Sequence, residues 1–257
     1  MFWRRVNLPG LATIAAVLVA WEVVVRTGLL QYQYIPAPTA VWSGFVDVAT
    51  SGELGDGVAH TVGVTLLGWA VAAVAGVTIG MLVGASRTAW TFTGASLETM
   101  RVLPAIAFVP LSVLLFGFTS RMELLIAIYG AVWPILLNTL SGMRSTSPQL
   151  LDVAKVMRLS PLAELSRIRI PAATAKIVVG LRLGLATSLI LTLVAEMIGN
   201  PAGIGYALIN NLEALQPERM FADIIVIGAL GIALNWCLIT LATLAFRGPM
   251  AAAREVD

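Results

Sequence analysis

Charge is scarce in this chain: only 12% of its 257 residues are Asp, Glu, Lys or Arg, against about 25% in a typical soluble domain. Cysteine is scarcer still. Cys237 stands alone, which excludes an intrachain disulfide and a thiolate cluster within one chain; beside Trp236 it reads as a small apolar packing residue. His60 is the only histidine, so a histidine-based metal site or a Ser/His triad has little to build on. Lying at the start of the second apolar run, it reads as an interfacial residue. No G-x4-G-K-[ST] phosphate loop occurs, and no clustered acidic metal site is visible. Any ATP hydrolysis must therefore take place on another polypeptide, and neither a cofactor nor a nucleic-acid partner is expected.

What the chain has in abundance is apolar sequence, 58% of all residues, with a mean hydropathy of +0.90. A helix that crosses a bilayer needs about 20 mostly apolar residues. Runs at 8–25, 58–83, 97–116, 124–143, 175–198 and 224–246 meet that need. The alternating ten-residue segments of a membrane barrel are missing. The expectation is an all-α integral membrane protein of six transmembrane helices, a single domain over 1–257 with the lipid bilayer around it. Between the first two runs, 27–57 reads as a loop and a short surface helix. The first run is long for a signal peptide and meets Glu22 before any A-x-A-like site, so it reads as a retained anchor.

Loop charge sets the orientation. With the N-terminus in the cytoplasm, the inner side holds Arg4, Arg5, Arg87, Arg144, the basic residues from Lys155 to Lys176, Arg247 and Arg254. The outer side holds Arg26, Arg121 and Arg219, together with acids that include Asp47, Glu53, Glu123 and Asp223. A multi-pass protein of the cell membrane with both termini cytoplasmic is the expected arrangement.

Within the runs, Gly76-x3-Gly80-x3-Gly84 makes a ridge without side chains that invites close helix packing. Pro104 and Pro110 predict a kink in the third run, beside a pathway or as a packing bend. Glu98 and Arg101, three apart, suit a local ion pair. Ionisable groups in spans are costly, and Arg182 reads as the only deep charge; it either snorkels to the inner surface or serves the pathway. Glu196, near the outer end of the fifth run, is solvated by water and headgroups or lines that pathway. Pro104, Asn138, Thr187, Ser188 and Thr192 complete the pathway candidates, and packing hydrogen bonds explain the polar ones equally well.

The segment 144–174 is too polar to cross. Ser147-Pro148 and Ser160-Pro161 are each a serine N-cap followed by proline at the first helical position. Two short helices are expected, to about Arg158 and about Arg169, with Pro171 stopping the second before the fifth run. Such a pair is either an interfacial hairpin on lipid or a plug for a partner protein, and composition does not choose.

The spacing of this loop resembles the EAA motif, E-A-A-x3-G-x9-I-x-L-P, of ABC importer permeases. Asp152 falls on the Glu, Val153 and Ala154 on the alanines, Ile168 on the Ile, Ile170 on the Leu and Pro171 on the Pro. Arg158 departs from the motif glycine, so the bend there is expected to differ if the glycine serves a φ > 0 turn. Pro36-x-Pro38-Thr39, Gly52-Glu53-Leu54, Arg101-x2-Pro104, Pro110-Leu111, Phe116-Gly117 and Gly203-Ile204-Gly205-Tyr206 extend the resemblance to the nitrate/sulfonate/taurine/bicarbonate-type branch. The resemblance implies a type I, methionine-importer-permease-like fold. Its function would be the transmembrane subunit of an ATP-driven importer for a small solute: a nitrate-, sulfonate- or taurine-like anion, or a vitamin precursor such as a pyrimidine or riboflavin. The implied partners are a cytoplasmic ABC ATPase dimer that binds the ATP, a second permease copy and an extracytoplasmic substrate-binding protein. The implied coupling residues are Asp152, Val153, Ala154, Lys155, Met157, Arg158, Leu159, Ser160, Ile168, Ile170 and Pro171. The rival is a secondary transporter or channel that works without an ATPase; it would show internal repeats or a charged filter, and the sequence shows neither.

Overall fold

The computed structural model describes residues 8–29 and 34–245, and these form helices only. Arg4, Arg5, Arg247, Arg254 and the final residue of the run 224–246 lie outside the described residues. In order, the helices are α1 (Leu8–Arg26), α2 (Pro38–Ser51), α3 (Glu53–Ala85), α4 (Arg87–Met100), α5 (Val109–Phe116), α6 (Ser120–Arg144), α7 (Pro148–Val156), α8 (Pro161–Glu164), α9 (Ile170–Gly199), α10 (Gly203–Glu213) and α11 (Pro217–Ala245). Proline opens α2, α7, α8 and α11, where its missing N–H is not needed and its fixed φ suits the helix.

Three long helices make the core, with α6 against both α3 and α9. A ridge of small residues on α3, one turn apart, meets a ridge on α6. A Cβ added at Gly76 would lie 2.9 Å from Ile135, at Gly80 2.7 Å from Thr139, and at Gly84 2.6 Å from Met143. The glycine ridge expected from sequence is therefore the seam along which α3 lies on α6. Helix α9 approaches an adjacent face of α6 in the same manner, with Gly180 against Asn138 and Gly184 against Ile135. Hydrogen bonds fasten α9 to α3 directly: Trp69 Nε1 donates to Leu181 O at 2.9 Å, and Ser188 Oγ to Thr65 O at 2.9 Å. Outside this core α2 lies on α11, where the backbone at Gly44 comes close to Glu218 and Arg219 Nε donates to Asp47 at 2.7 Å.

Five helices are long and apolar enough to cross a membrane, or six if α4 and α5 count as one broken span. The expected third span, 97–116, is thus not one helix. Its first residues end α4, and a bend of 80° separates α4 from the segment Ala105–Phe116. Proline disfavours the helical region for the residue before it, and Pro104 itself is extended at φ −64°, ψ 123°. One 3-10 turn, Ala105–Phe108, then leads into α5. The expected ion pair of Glu98 with Arg101 does not form. Helix α3 begins at Glu53 rather than 58, because Gly52 takes the left-handed conformation (φ 83°) that lets α2 end and α3 start without a loop. At 33 residues it is about 50 Å long, well over the hydrocarbon thickness of about 30 Å.

Pro171 does not stop a helix. The chain is helical without a break from Pro161 to Gly199, with a π turn at Leu165–Arg169 where Ile170 N donates to Leu165 O. A proline inside a helix lacks its own bond and strikes the carbonyl four residues back. The wider turn just before Pro171 moves that carbonyl aside, so the helix runs through. Cys237 also differs from its expected packing role: it is exposed, and its neighbour Trp236 is 71% exposed.

The glycine seam yields a first prediction. Gly80→Ala places a methyl group against Thr139 and costs about 1–3 kcal/mol through overpacking, whereas Gly63→Ala enters open space. Thermal unfolding of the detergent-purified chain should show a lower midpoint for the first variant and none of that loss for the second.

Candidate functional site

Helix α7 and the turn after it are built from local rules. Ser147 Oγ accepts from Leu150 N, and Ser160 Oγ from Ala163 N, so both serines cap as their sequence context requires. Helix α7 ends at Val156, and the chain leaves it through Arg158, which stands at φ 50°. Arg158 N donates to Lys155 O at 3.0 Å and Leu159 N to Ala154 O at 3.0 Å. These two bonds are the paired closure of a helix that ends in a left-handed residue. The left-handed turn is thus present although an arginine fills the position where glycine is least strained.

What this closure presents is an uncovered surface. Leu150 is 44% exposed, Val153 49%, Val156 84% and Met157 65%. Asp152 and Lys155 are exposed beside them and pair at 2.9 Å. Of the motif-matched residues, Ala154 is buried, Leu159 half-buried, and Ile168 and Ile170 half-buried beneath the turn, with Ile170 packed on the Met143, Ala173, Ile177 cluster. Ser160 and Pro171 are exposed. One face of the segment therefore anchors it to the bundle, and the other has no protein against it.

At the opposite end of the bundle lies a polar cluster that the sequence reading missed. Glu123 and Glu196 are fully buried there, not in a loop or at a headgroup surface. Thr61 Oγ1 donates to Glu196 Oε1 at 2.8 Å and accepts from Ile204 N at 3.0 Å; Gly205 N donates to Glu196 Oε2 at 2.8 Å. Asn200 Nδ2 donates to Glu123, and His60 Nε2 shares a 2.9 Å bond with the other oxygen of that carboxylate. His60 is therefore not simply interfacial, and Arg182 is not the only deep charge. Asp223 is buried too, accepting from Asn211 at 2.7 Å. His60, Glu123 and Glu196 bring ligand atoms within 4.8 Å of one another, a spacing open to a metal ion. Each carboxylate oxygen nevertheless already receives a hydrogen bond, and the N-terminus of α10 supplies one of them, as helix N-termini do for anions. The cluster joins α3, α6, α9 and α10 into one unit.

The remaining sequence candidates are dispersed. Arg182 Nε donates to Asn235 at 3.1 Å, Asn138 Nδ2 to Pro134 O at 2.8 Å and Thr187 Oγ1 to Leu183 O at 2.8 Å. Ser188 is buried against α3, Thr192 is buried with no hydroxyl partner among the described residues, and Pro104 sits at the α4–α5 break. No local signal could have found Thr61 or Asn200, since their partners Glu196 and Glu123 are 135 and 77 residues away. Gly203-Ile204-Gly205, seven residues past a carboxylate in an apolar run, was the available clue.

Long apolar helices with a polar segment outside them define a multi-pass membrane protein. The comparisons specify it. The profile described as "Binding-protein-dependent transport system inner membrane component" matches residues 74–247, and the chain belongs to that family. It is 30% identical over 224 residues to the aliphatic sulfonates transport permease protein SsuC of Bacillus subtilis, covering 87% of this chain and 81% of that one. It is 25% identical over 252 residues to the bicarbonate transport system permease protein CmpB of Synechocystis sp., covering 91% and 88%. Its fold resembles a chain in the crystal structure of an amino acid ABC transporter with histidines, with a TM-score of 0.61 and 17% identity, covering 79% of this chain and 96% of that one. The chain is thus a permease component of an ABC import system.

Two predictions follow from the geometry. Arg158→Gly removes the cost of a left-handed non-glycine residue, about 1–2 kcal/mol, against a smaller entropic loss of about 0.5–1 kcal/mol; hydrogen exchange at the Leu159 amide should slow severalfold. Glu196→Ala leaves the Thr61 hydroxyl and the Gly205 N–H without acceptors in a dry site and should cost about 2–5 kcal/mol in thermal unfolding. Glu196→Gln, which keeps one acceptor, should cost less; equal losses would refute the network.

Proposed function

We propose that α7 is the surface through which this permease receives the motion of a cytoplasmic ATPase. The observation that carries the reading is the exposed apolar stripe Leu150, Val153 and Met157, flanked by Asp152, Lys155 and Arg158. Contiguous exposed apolar surface of this kind marks interaction sites, and its motif spacing points to an ATPase groove as the occupant. Asp152, Val153, Ala154, Lys155, Met157, Arg158, Leu159 and Ser160 form the contact or fix its turn, while Ile168, Ile170 and Pro171 join it to α9. In this reading the α7 end of the bundle and both termini face the cytoplasm, as the basic residues there favour. Two copies of the chain pair about a two-fold axis with the pathway between them, an ATPase dimer binds the ATP, and a substrate-binding protein docks on the opposite face. The solute is small. The relatives are named for aliphatic sulfonates and bicarbonate, both anions, which favours an anionic cargo over a vitamin precursor.

Co-purification tests the coupling surface. Wild type and the double variant Asp152→Lys with Ala154→Pro are isolated in mild detergent with the native partner subunits co-expressed. The ATPase subunit should accompany the wild type and be lost from the still-folded variant, and Arg158→Gly should keep it. Recovery of no ATPase with the wild type, or solute flux through the chain alone, would overturn the reading.

A further inference from the structure

One cavity of about 460 Å³ opens at the α7 end of the bundle, between α4 and α6. Its walls carry Trp90, Glu98 and Arg101 from α4, and Leu137, Ser141 and Arg144 from α6. From Leu137 to Ser145 this wall spans nine residues, about 12 Å of rise, so the cavity is an open slot running along the flank of α6. Lys176 of α9 stands behind two of its lining serines, with Nζ 3.2 Å from Ser141 Oγ and 3.0 Å from Ser145 Oγ.

The charges in this slot are unbalanced. Arg101, Arg144 and Lys176 make no ion pair with any described carboxylate, and Glu98 is the single acid on the wall. Arg144 is instead held over the Trp90 ring, 4.4 Å from its centroid, which fixes the guanidinium without using its N–H donors. The Ser141 hydroxyl accepts from Lys176 and donates to nothing among the described residues. Two guanidinium forks thus line the slot with one carboxylate, and an ammonium stands behind two of its serine hydroxyls. Charge at an inner loop alone would explain basic residues scattered over a surface; it does not explain their gathering around one apolar-backed slot. Arginine and lysine rings are the means by which pores select anions, and planar guanidinium matches two oxygens of an oxyanion at once.

We propose that this slot is a binding site for a small oxyanion, the solute at the cytoplasmic end of its path, with Arg101, the Trp90-stacked Arg144 and Ser141 on its walls and Lys176 behind the serine. Calling the ligand the solute rests on the permease reading above; the anion site itself does not. A phospholipid phosphate offers the same oxygens, so the test separates the two sources.

The full-length chain is placed in phosphatidylcholine nanodiscs and its tryptophan emission titrated with iodide at constant ionic strength, the Trp90→Phe variant serving to isolate the Trp90 contribution. Iodide should quench that contribution saturably, and methanesulfonate should displace it. The half-saturating iodide concentration should rise about tenfold in Arg101→Gln and in Lys176→Gln, in line with the loss of one charge-assisted contact. Arg101→Lys should restore most of it, and Arg219→Gln at the other end of the bundle should leave it unchanged. Linear quenching that ignores these substitutions overturns the site. Loss of the iodide response in nanodiscs containing phosphatidylglycerol, with no displacement by methanesulfonate, assigns the slot to a lipid headgroup and overturns the solute. ATPase co-purification is scored on the same variants: retained ATPase with no saturable anion response refutes this inference alone, and an anion response without ATPase refutes the permease reading alone.

Discussion

The arrangement depends on how closely three backbones approach. Where lipid surrounds the protein there is no hydrophobic gain in moving an apolar side chain from one helix neighbour to another, so association rests on contact and on hydrogen bonds. Helix α6 obtains contact on two adjacent faces by meeting helices whose facing residues are glycine: Gly76, Gly80 and Gly84 from α3, and Gly180 and Gly184 from α9. Everything described as a site hangs from these seams. The slot lined by Arg101 and Arg144 opens between α4 and α6, and the Glu123–Glu196 cluster exists because the packed helices bring His60 and Thr61 of α3 level with the start of α6 and the end of α9.

The two ends of the bundle are chemically opposite. At one end, buried carboxylates are closed within hydrogen bonds from Thr61, Asn200, His60 and the start of α10. At the other, Arg101, Arg144 and Lys176 stand without carboxylate partners among the described residues, and an apolar stripe stands without a neighbour. A closed network is costly to open, since each separated group loses its partner in a dry setting. An open one is inexpensive to engage. The division fits a molecule that is held firm at one end and answers partners at the other.

Sequence periodicity and motif spacing revealed much of this, and the failures have physical reasons. Apolar runs located the long helices, the glycine spacing located the α3 seam, and the Ser-Pro pairs located α7 and α8, because each is a local rule. The third span, expected as one kinked helix, is broken by 80° at Pro104, a degree of bend that hydropathy does not register. Pro171 was read as a stop because the π turn that accommodates it leaves no mark in composition. His60, Glu123 and Glu196 were assigned to surfaces one by one; only folding brings residues 60, 123 and 196 together. At Arg158 the motif position, not the residue type, was the better guide to backbone conformation, since the bonds to Lys155 and Ala154 carbonyls fix the turn whichever side chain it bears.

The unbroken helix from Pro161 to Gly199 has a mechanical consequence. Its upper part is clamped along two neighbours and bonded at its far end through Glu196, so it behaves as a stiff beam fixed at one support. Its other end rests through Leu165 and Ile170 on the Met143, Ala173, Ile177 cluster and carries the stretch, Leu165–Arg169, in which the hydrogen-bond ladder widens to the π pattern. A beam yields where its internal ties are weakest. A load on that end would therefore be taken up as bending at Leu165–Arg169 before it reaches Gly180, and the stiffness of those five residues would set how much of it the bundle feels.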